Sequence, residues 1–432
     1  YKWADMLLVT SAKLRPEPLD AYARWIRNQV AANRPWNEVV TELVTAKGSS
    51  VENGETNFFA VHQDPESMAE NVSQAFLSLS INCAKCHNHP LEKWTNDQYY
   101  AFANLFARVR AKGWGGDARS GDGKRTLYLD PSGDLIQPRT GRPQPPAPLD
   151  APALDPESPD DRRVALAAWL TSPTNPYFAR AMANRIWANF LGTGVVEPVD
   201  DVRVSNPPSN EPLLAGLADF LVAQKFDLKS LMREILVSQT YRRSSTVLAD
   251  NRDDRRHYAR FQPRRLPAEV LSDAITDVTQ VPDAFTELAL NDGSAEATKA
   301  YEPGTRALQL HDSAVKNYFL KTFGRNPREI TCECERSNQP SLVQVLHLAN
   351  GSTINDKLAA PDGRTASLLA RSLPPDQLIE EMWWLTLSRP PTEAEQSSTL
   401  ALLQATPEDE FRTAVEDLFW SLLSSREFLF QH

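Results

Sequence analysis

Proline sets the punctuation of this chain. There are 32 prolines against 17 glycines in 432 residues. Proline fits the first turn of a helix but not a helix interior or a central strand. Such a chain reads as helices joined by stiff loops, and its helix start signals agree. Asp64-Pro65-Glu66 offers a cap, a first-turn proline and an acidic residue. Val72, Phe76 and Leu79 follow on one face at i, i+4, i+7. Thr95 with Gln98, and Thr392 with Glu395, have capping-box spacing. Asn175-Pro176 opens a helix carrying Ile186, Trp187 and Phe190, which Gly192 is placed to stop. Thr406-Pro407 with Asp409 opens another, with Phe411, Val415, Leu418, Phe419 and Leu422 as its core stripe. Tyr1 to Leu14 reads as a helix already under way, so a secretory leader is neither seen nor excluded. The fold class is mostly α.

The break in this pattern runs over residues 113–160. Gly113, Gly115, Gly116, Gly121 and Gly123 open it, and a proline-rich run closes it. Within it Thr126 to Leu129 and Leu135 to Gln137 flank Asp130-Pro131-Ser132-Gly133-Asp134, which reads as a small β-hairpin. The expected organisation is therefore two helical domains, 1–112 and 161–432, joined by a Pro/Gly-rich linker with a short β element. A second irregular stretch is expected at 281–304. Hydrophobic residues at 41% and charged residues at 24% give enough apolar mass for a core. The net charge of −10 argues against nucleic acid, whose partners concentrate positive charge. No apolar run is long enough for a transmembrane segment.

The four cysteines fall in two tight pairs, Cys83-Ala84-Lys85-Cys86-His87 and Cys332-Glu333-Cys334. The first is the C-x-x-C-H string of c-type haem attachment. Its two thiols can each form a thioether with a haem vinyl group, and the adjoining imidazole can reach the iron. This composition would produce the string by accident in about 0.0006 of such chains. Two other readings stand beside haem. One is a zinc site of Cys83 and Cys86 completed by Cys332 and Cys334, or by His87 and His89, since C-x-x-C is a familiar half-site. The other is structural: disulfides or buried thiols, with the C-x-C ring strained and labile. His89 lies too near His87 to reach the opposite haem face. It suits a hydrogen-bonding role, a different metal, or simply a His89-Pro90 turn. A second axial ligand would come from Met68, His62, His311 or His347.

At these residues the chain resembles a large planctomycete family of paired uncharacterised domains, often described as cytochrome-c-domain-associated. LSINCAKCHNHPLEKWTNDQYYAFANLFARV resembles that family's C-x-x-C-H-x-H-P segment. NPYFARAMANRIWANFLGTGVVEPVDDV, LKSLMREILVSQTYRRSS, RRLPAEVLSDAI, CECERSNQPSLVQVLHLANG and LSRPPTEAE continue the resemblance in order. It implies an exported protein from bacteria rich in sulfatases and polysaccharide degradation, with Cys83, Cys86, His87 and His89 at the motif positions. It implies no biochemical activity.

Other polar groupings read mainly as structural. Asn184, Arg185 and Trp187 with Asp200 and Asp201 suggest either a site lining or an arginine–aspartate tie, the latter favoured. Arg265 and Glu269 have i, i+4 spacing beside Arg264. Arg336 is expected to pair with Glu329, Glu333 or Glu335 rather than with a haem propionate. Of Trp383 and Trp384 at most one can face a core; the other could stack on sugar, though inter-domain packing suits it better. Nucleotide, lipase-type and zincin signatures are absent from the sequence. The leading expectation is an exported haem c protein, with His87 as axial ligand, passing electrons to a redox partner protein or a small substrate in the periplasm. The alternatives are a zinc-stabilised scaffold without turnover and a polysaccharide-related hydrolase with structural cysteines.

Overall fold

The computed structural model describes residues 1–62, 64–113, 123–290, 292–336 and 340–431. Gly115, Gly116 and Gly121 of the expected linker lie outside them, as do Ser337, Asn338 and Gln339. Of the described residues 48% are helical and 6% lie in strands. Among the described residues no helix is long and apolar enough to cross a membrane.

The local start signals form as expected. The Asp64 side chain accepts from Ser67 N at the head of helix Pro65–Val72. Both capping boxes, Thr95/Gln98 and Thr392/Glu395, are complete. Asn175 Oδ1 accepts from Tyr177 N and Phe178 N, and Gly192 ends helix Phe178–Leu191 at φ +84°. Two starts differ. The opening segment is helical only over Lys2–Met6, and Leu8 then takes φ +59°. The last long helix, Phe411–Leu423, is preceded by Glu410, because Pro407 to Glu410 close a turn instead of the first helical turn.

The chain divides into two compact units. The first comprises Tyr1–Gln262, His311–Ser313 and Pro327–Glu335; the second comprises Pro263–Leu310, Ala314–Asn326 and Arg336–His432. These compact units are not the sequence segments 1–112 and 161–432: packing joins the first of those to the front of the second. The reason is hydrophobic continuity: one cluster of buried side chains runs from Ala4 to Ile235 and includes Leu166, Leu170, Phe178 and Trp187. Trp36 lies at its centre, stacked on Phe178 at 6.5 Å and edge-on to Trp3 at 4.6 Å. Burying rings of this size contributes about 2–3 kcal/mol each, which outweighs the punctuation of an intervening loop. The second unit has its own core, from Ala268 to Leu429, with Ile379, Met382, Val415 and Phe419.

The expected hairpin at 126–137 does not form. Thr126–Leu129 instead pairs antiparallel with Val109–Lys112 on one side and Gly48–Ser49 on the other. Ile136–Gln137 pairs with Arg142–Pro143. Leu127 is buried in the first core, and Leu135 N donates to Asn104 Oδ1, so tertiary partners outbid the local turn. The stretch expected to be irregular at 281–304 contains a two-stranded pairing, Glu287–Ala289 with Ala295–Ala297. Asn291, in its connection, lies outside the described residues.

Candidate functional site

The C-x-x-C-H string lies in the first unit. Helix Pro65–Val72 runs into a π-turn, Ser73–Leu77, and Ser78 reverses the chain at φ +53°. Leu79 and Ile81 then enter the core, so the next residues emerge at the surface as a 3-10 turn, Asn82–Lys85. Ala84 is fully buried and anchors that turn, while Cys83, Cys86 and His87 are exposed. Both thiols are free.

Asn96 holds the turn in place. It is buried at the first position of helix Asn96–Ala103, and its Nδ2 donates to Ala84 O at 2.8 Å and Lys85 O at 2.9 Å. Its backbone N donates to Asn88 Oδ1 at 3.0 Å, and its own Oδ1 accepts from Gln137 Nε2 at 2.5 Å. Asn96 and Gln137 were not singled out from the sequence. The Thr95/Gln98 cap marked where Asn96 sits, but nothing local showed that its amide would satisfy two carbonyls of the cysteine turn.

The two histidines are in opposite protonation arrangements. His87 Nδ1 is 2.7 Å from Asn88 O. A carbonyl can only accept, so Nδ1 carries the proton and neutral His87 leaves Nε2 with a bare lone pair. At His89 the backbone N of Leu91 donates to Nδ1 at 3.2 Å, which places the proton of the neutral ring on Nε2. His89 is buried, its N donates to Trp94 O at 2.8 Å, and desolvation holds its pKa below the ordinary value. The turn reading of His89-Pro90 therefore describes its contacts.

The surrounding charge is mixed. Arg203 is paired with Asp201, which raises its pKa, and Ser205 N reaches Glu92 Oε1 at 3.4 Å. On the other side Tyr99 donates to Glu70 Oε1 at 2.6 Å. Desolvation raises the pKa of Tyr100, with Glu66 and Cys86 adding to it.

Cys332 and Cys334 are bonded to each other, so their sulfurs are not available as thiolate ligands in this state. Their turn is tied into the first unit by Glu333 N, which donates to Asp200 Oδ2 at 2.6 Å, and by Lys2, 3.3 Å from Glu333 Oε2. Among the described residues no three His, Cys, Asp or Glu side chains converge so as to hold a metal ion. The four residues weighed as second axial ligands are engaged elsewhere. Met68 is buried in the core, and His62 Nε2 meets Asn71 Nδ2 at 2.6 Å. His311 Nε2 lies 3.0 Å from Asp20, and His347, in the second unit, bonds Thr353 Oγ1 at 2.9 Å.

Arg185 sits 2.5 Å from Asp200 Oδ1 and donates to Gln74 O, which is the tie rather than a site lining. Asn184 is fully buried, donating to Val196 O at 2.9 Å and accepting from Val196 N at 3.0 Å. Gly194 makes room for this, since a Cβ there would meet Val196 O at 2.2 Å. Asn184→Ala is expected to cost roughly 2–3 kcal/mol in a denaturant titration, because both backbone groups of Val196 lose their partner in the interior. A loss under about 0.5 kcal/mol would show that water replaces the amide.

Two expected pairings are corrected in the second unit. Arg336 does not use its neighbouring glutamates; its Nη1 donates to Glu269 Oε2 at 3.0 Å, and both groups are buried. Arg265 precedes helix Ala268–Thr279 in the short strand Arg264–Arg265, so its spacing to Glu269 is not a helical one. Trp383 is buried and Trp384 exposed, as expected of adjacent helical positions.

Fold and site together define a mostly α-helical protein whose distinctive surface feature is a rigidly backed turn presenting two free thiols and one imidazole. The sequence model of the PSD1 family, described as a protein of unknown function (DUF1553), matches residues 162–403. That of PSCyt2, also described as a protein of unknown function (DUF1549), matches residues 2–111. The chain belongs to the PSD1 family, and the PSCyt2 match lies ahead of that segment. No curated protein and no solved structure matches the chain.

Proposed function

We propose that this is an exported c-type haem-binding protein with an electron-transfer or small-substrate redox role. The reading is carried by the state of the turn: Cys83 and Cys86 are free and exposed, and His87 Nδ1 is committed to Asn88 O, leaving Nε2 as donor atom. Cys83 and Cys86 would hold the group by adding S–H across its two vinyl groups, and His87 Nε2 would ligate its iron. The Asn88 carbonyl fixes the ring tautomer and its orientation. A bound haem supplies one-electron exchange between ferric and ferrous iron. Asn96 holds the turn from behind, and the exposure of the site suits contact with a redox partner protein. Haems of this kind are attached outside the bacterial cytoplasm, which is the basis for a periplasmic location.

The test is expression with export in a host that has the attachment machinery. A Soret band should appear and survive acid-acetone extraction. Cys83→Ala/Cys86→Ala should reduce covalent haem to background, and His87→Ala should retain the thioethers with an altered spectrum. A colourless wild-type protein from that host rejects the proposal, and stoichiometric zinc in it would favour the scaffold reading instead.

A further inference from the structure

Helix Leu342–Asn350 of the second unit has its sides reversed. The one fully buried residue is Gln344, while Leu342, Val343, Val345 and Leu346 are 52–72% exposed. The cause is local. Gln344 is the third residue of a capping box with Ser341, and its Nε2 donates to Thr322 O at 2.9 Å. With that amide held inward, and with Leu348 O accepting from Trp420 Nε1 at 2.9 Å, the aliphatic residues must face out. Beside them Tyr318, 63% exposed, and His347 line an open hollow of about 280 Å³ together with Val343, Leu346, Asn350 and Gly351.

We propose that this face joins two copies of the chain about a two-fold axis. Charge selects the occupant. Residues 340–355 contain no Asp, Glu, Lys or Arg, in a chain that is 24% charged and carries −10 overall. An uncharged span is where two copies of an acidic protein can meet with the least like-charge repulsion. Size agrees. The five exposed side chains offer on the order of 500 Å² of apolar surface, and with a polar rim this approaches the roughly 800 Å² per partner of a stable pair. Leu342, at 72% the most exposed of the aliphatic residues, would fill the hollow of the other copy, and the two-fold repeats that contact.

Sedimentation velocity of the full chain tests this from about 1 to 100 µM, with an expected dissociation constant in the low micromolar range. Leu346→Glu and Leu346→Lys should each weaken association by at least about 100-fold while helical signal and melting stay at wild-type values. Mixing the two variants should restore the dimer through their opposite charges. A wild-type chain monomeric throughout, variants that associate as tightly as wild type, or a mixture that stays monomeric overturns the proposal.

Discussion

Arg328→Met is expected to destabilise the first unit by about 3–5 kcal/mol, read as a fall in the denaturant midpoint. The Arg328 side chain is almost wholly buried, and its Nε donates to Asp5 Oδ1 at 2.8 Å. Its Nη1 also donates to Val9 O at 2.7 Å and His311 O at 2.5 Å. It thereby fastens the segment Pro327–Glu335 to the opening helix. Methionine keeps much of the volume but removes this cation from the buried Asp5 and the donors from the Val9 and His311 carbonyls, and breaking a buried pair on one side is costly. The backbone at 328 has φ +63°, which methionine meets with the same penalty as arginine, so the loss reports the side chain's interactions rather than backbone strain. Adding Asp5→Asn should recover the part of the loss that comes from the ion pair, because the carboxylate charge is then gone, and leave the part that comes from the two carbonyls. A single-variant loss below about 1 kcal/mol would show that Asp5 is otherwise compensated.

Stability is expected to fall as pH drops from about 6.5 to about 4, and His62 is the cause. Burial, with Lys13 nearby, lowers the pKa of His62 from 6.5 to about 4, against a smaller opposing pull from Asp64. Its Nε2 accepts from Asn71, whose carbonyl oxygen in turn accepts from Thr331 Oγ1, so the neutral ring is built into a buried network. Above pH 6.5 neither the folded nor the unfolded state holds a proton there, and stability is complete. Below it the unfolded chain protonates while the folded one does not, so stability is lost until the folded ring also titrates near pH 4. The total is about 3 kcal/mol. Carboxylates titrate over part of the same window, so the measurement is the difference between wild type and His62→Gln in urea midpoints at pH 7 and pH 4.5. Parallel pH profiles for the two proteins would remove His62 as the source.

How much was legible follows the range of each interaction. The Thr95/Gln98 and Thr392/Glu395 boxes, the Asp64 cap and the Gly192 stop are satisfied within four residues, so spacing alone reveals them. The stripe from Phe411 to Leu422 was readable for the same reason. Arg336 illustrates the opposite: three glutamates lie close in sequence, yet it pairs with Glu269, because a buried guanidinium takes the carboxylate that the core brings to it. The strand Thr126–Leu129 ignored its neighbour across a plausible turn and joined two edges contributed from residues 48–49 and 109–112.

The candidate site divides along the same line. Residue order alone made Cys83, Cys86 and His87 a unit, since chemistry at three positions within five residues depends on spacing and side-chain type. The tertiary structure decided that the thiols face outward and free, that Asn96 braces them, and that His87 and His89 carry their protons on different nitrogens. It also decided that Cys332 and Cys334 bond to each other. Those outcomes depend on which backbone carbonyls and amides the packed core leaves beside each side chain, a long-range property that no local pattern encodes.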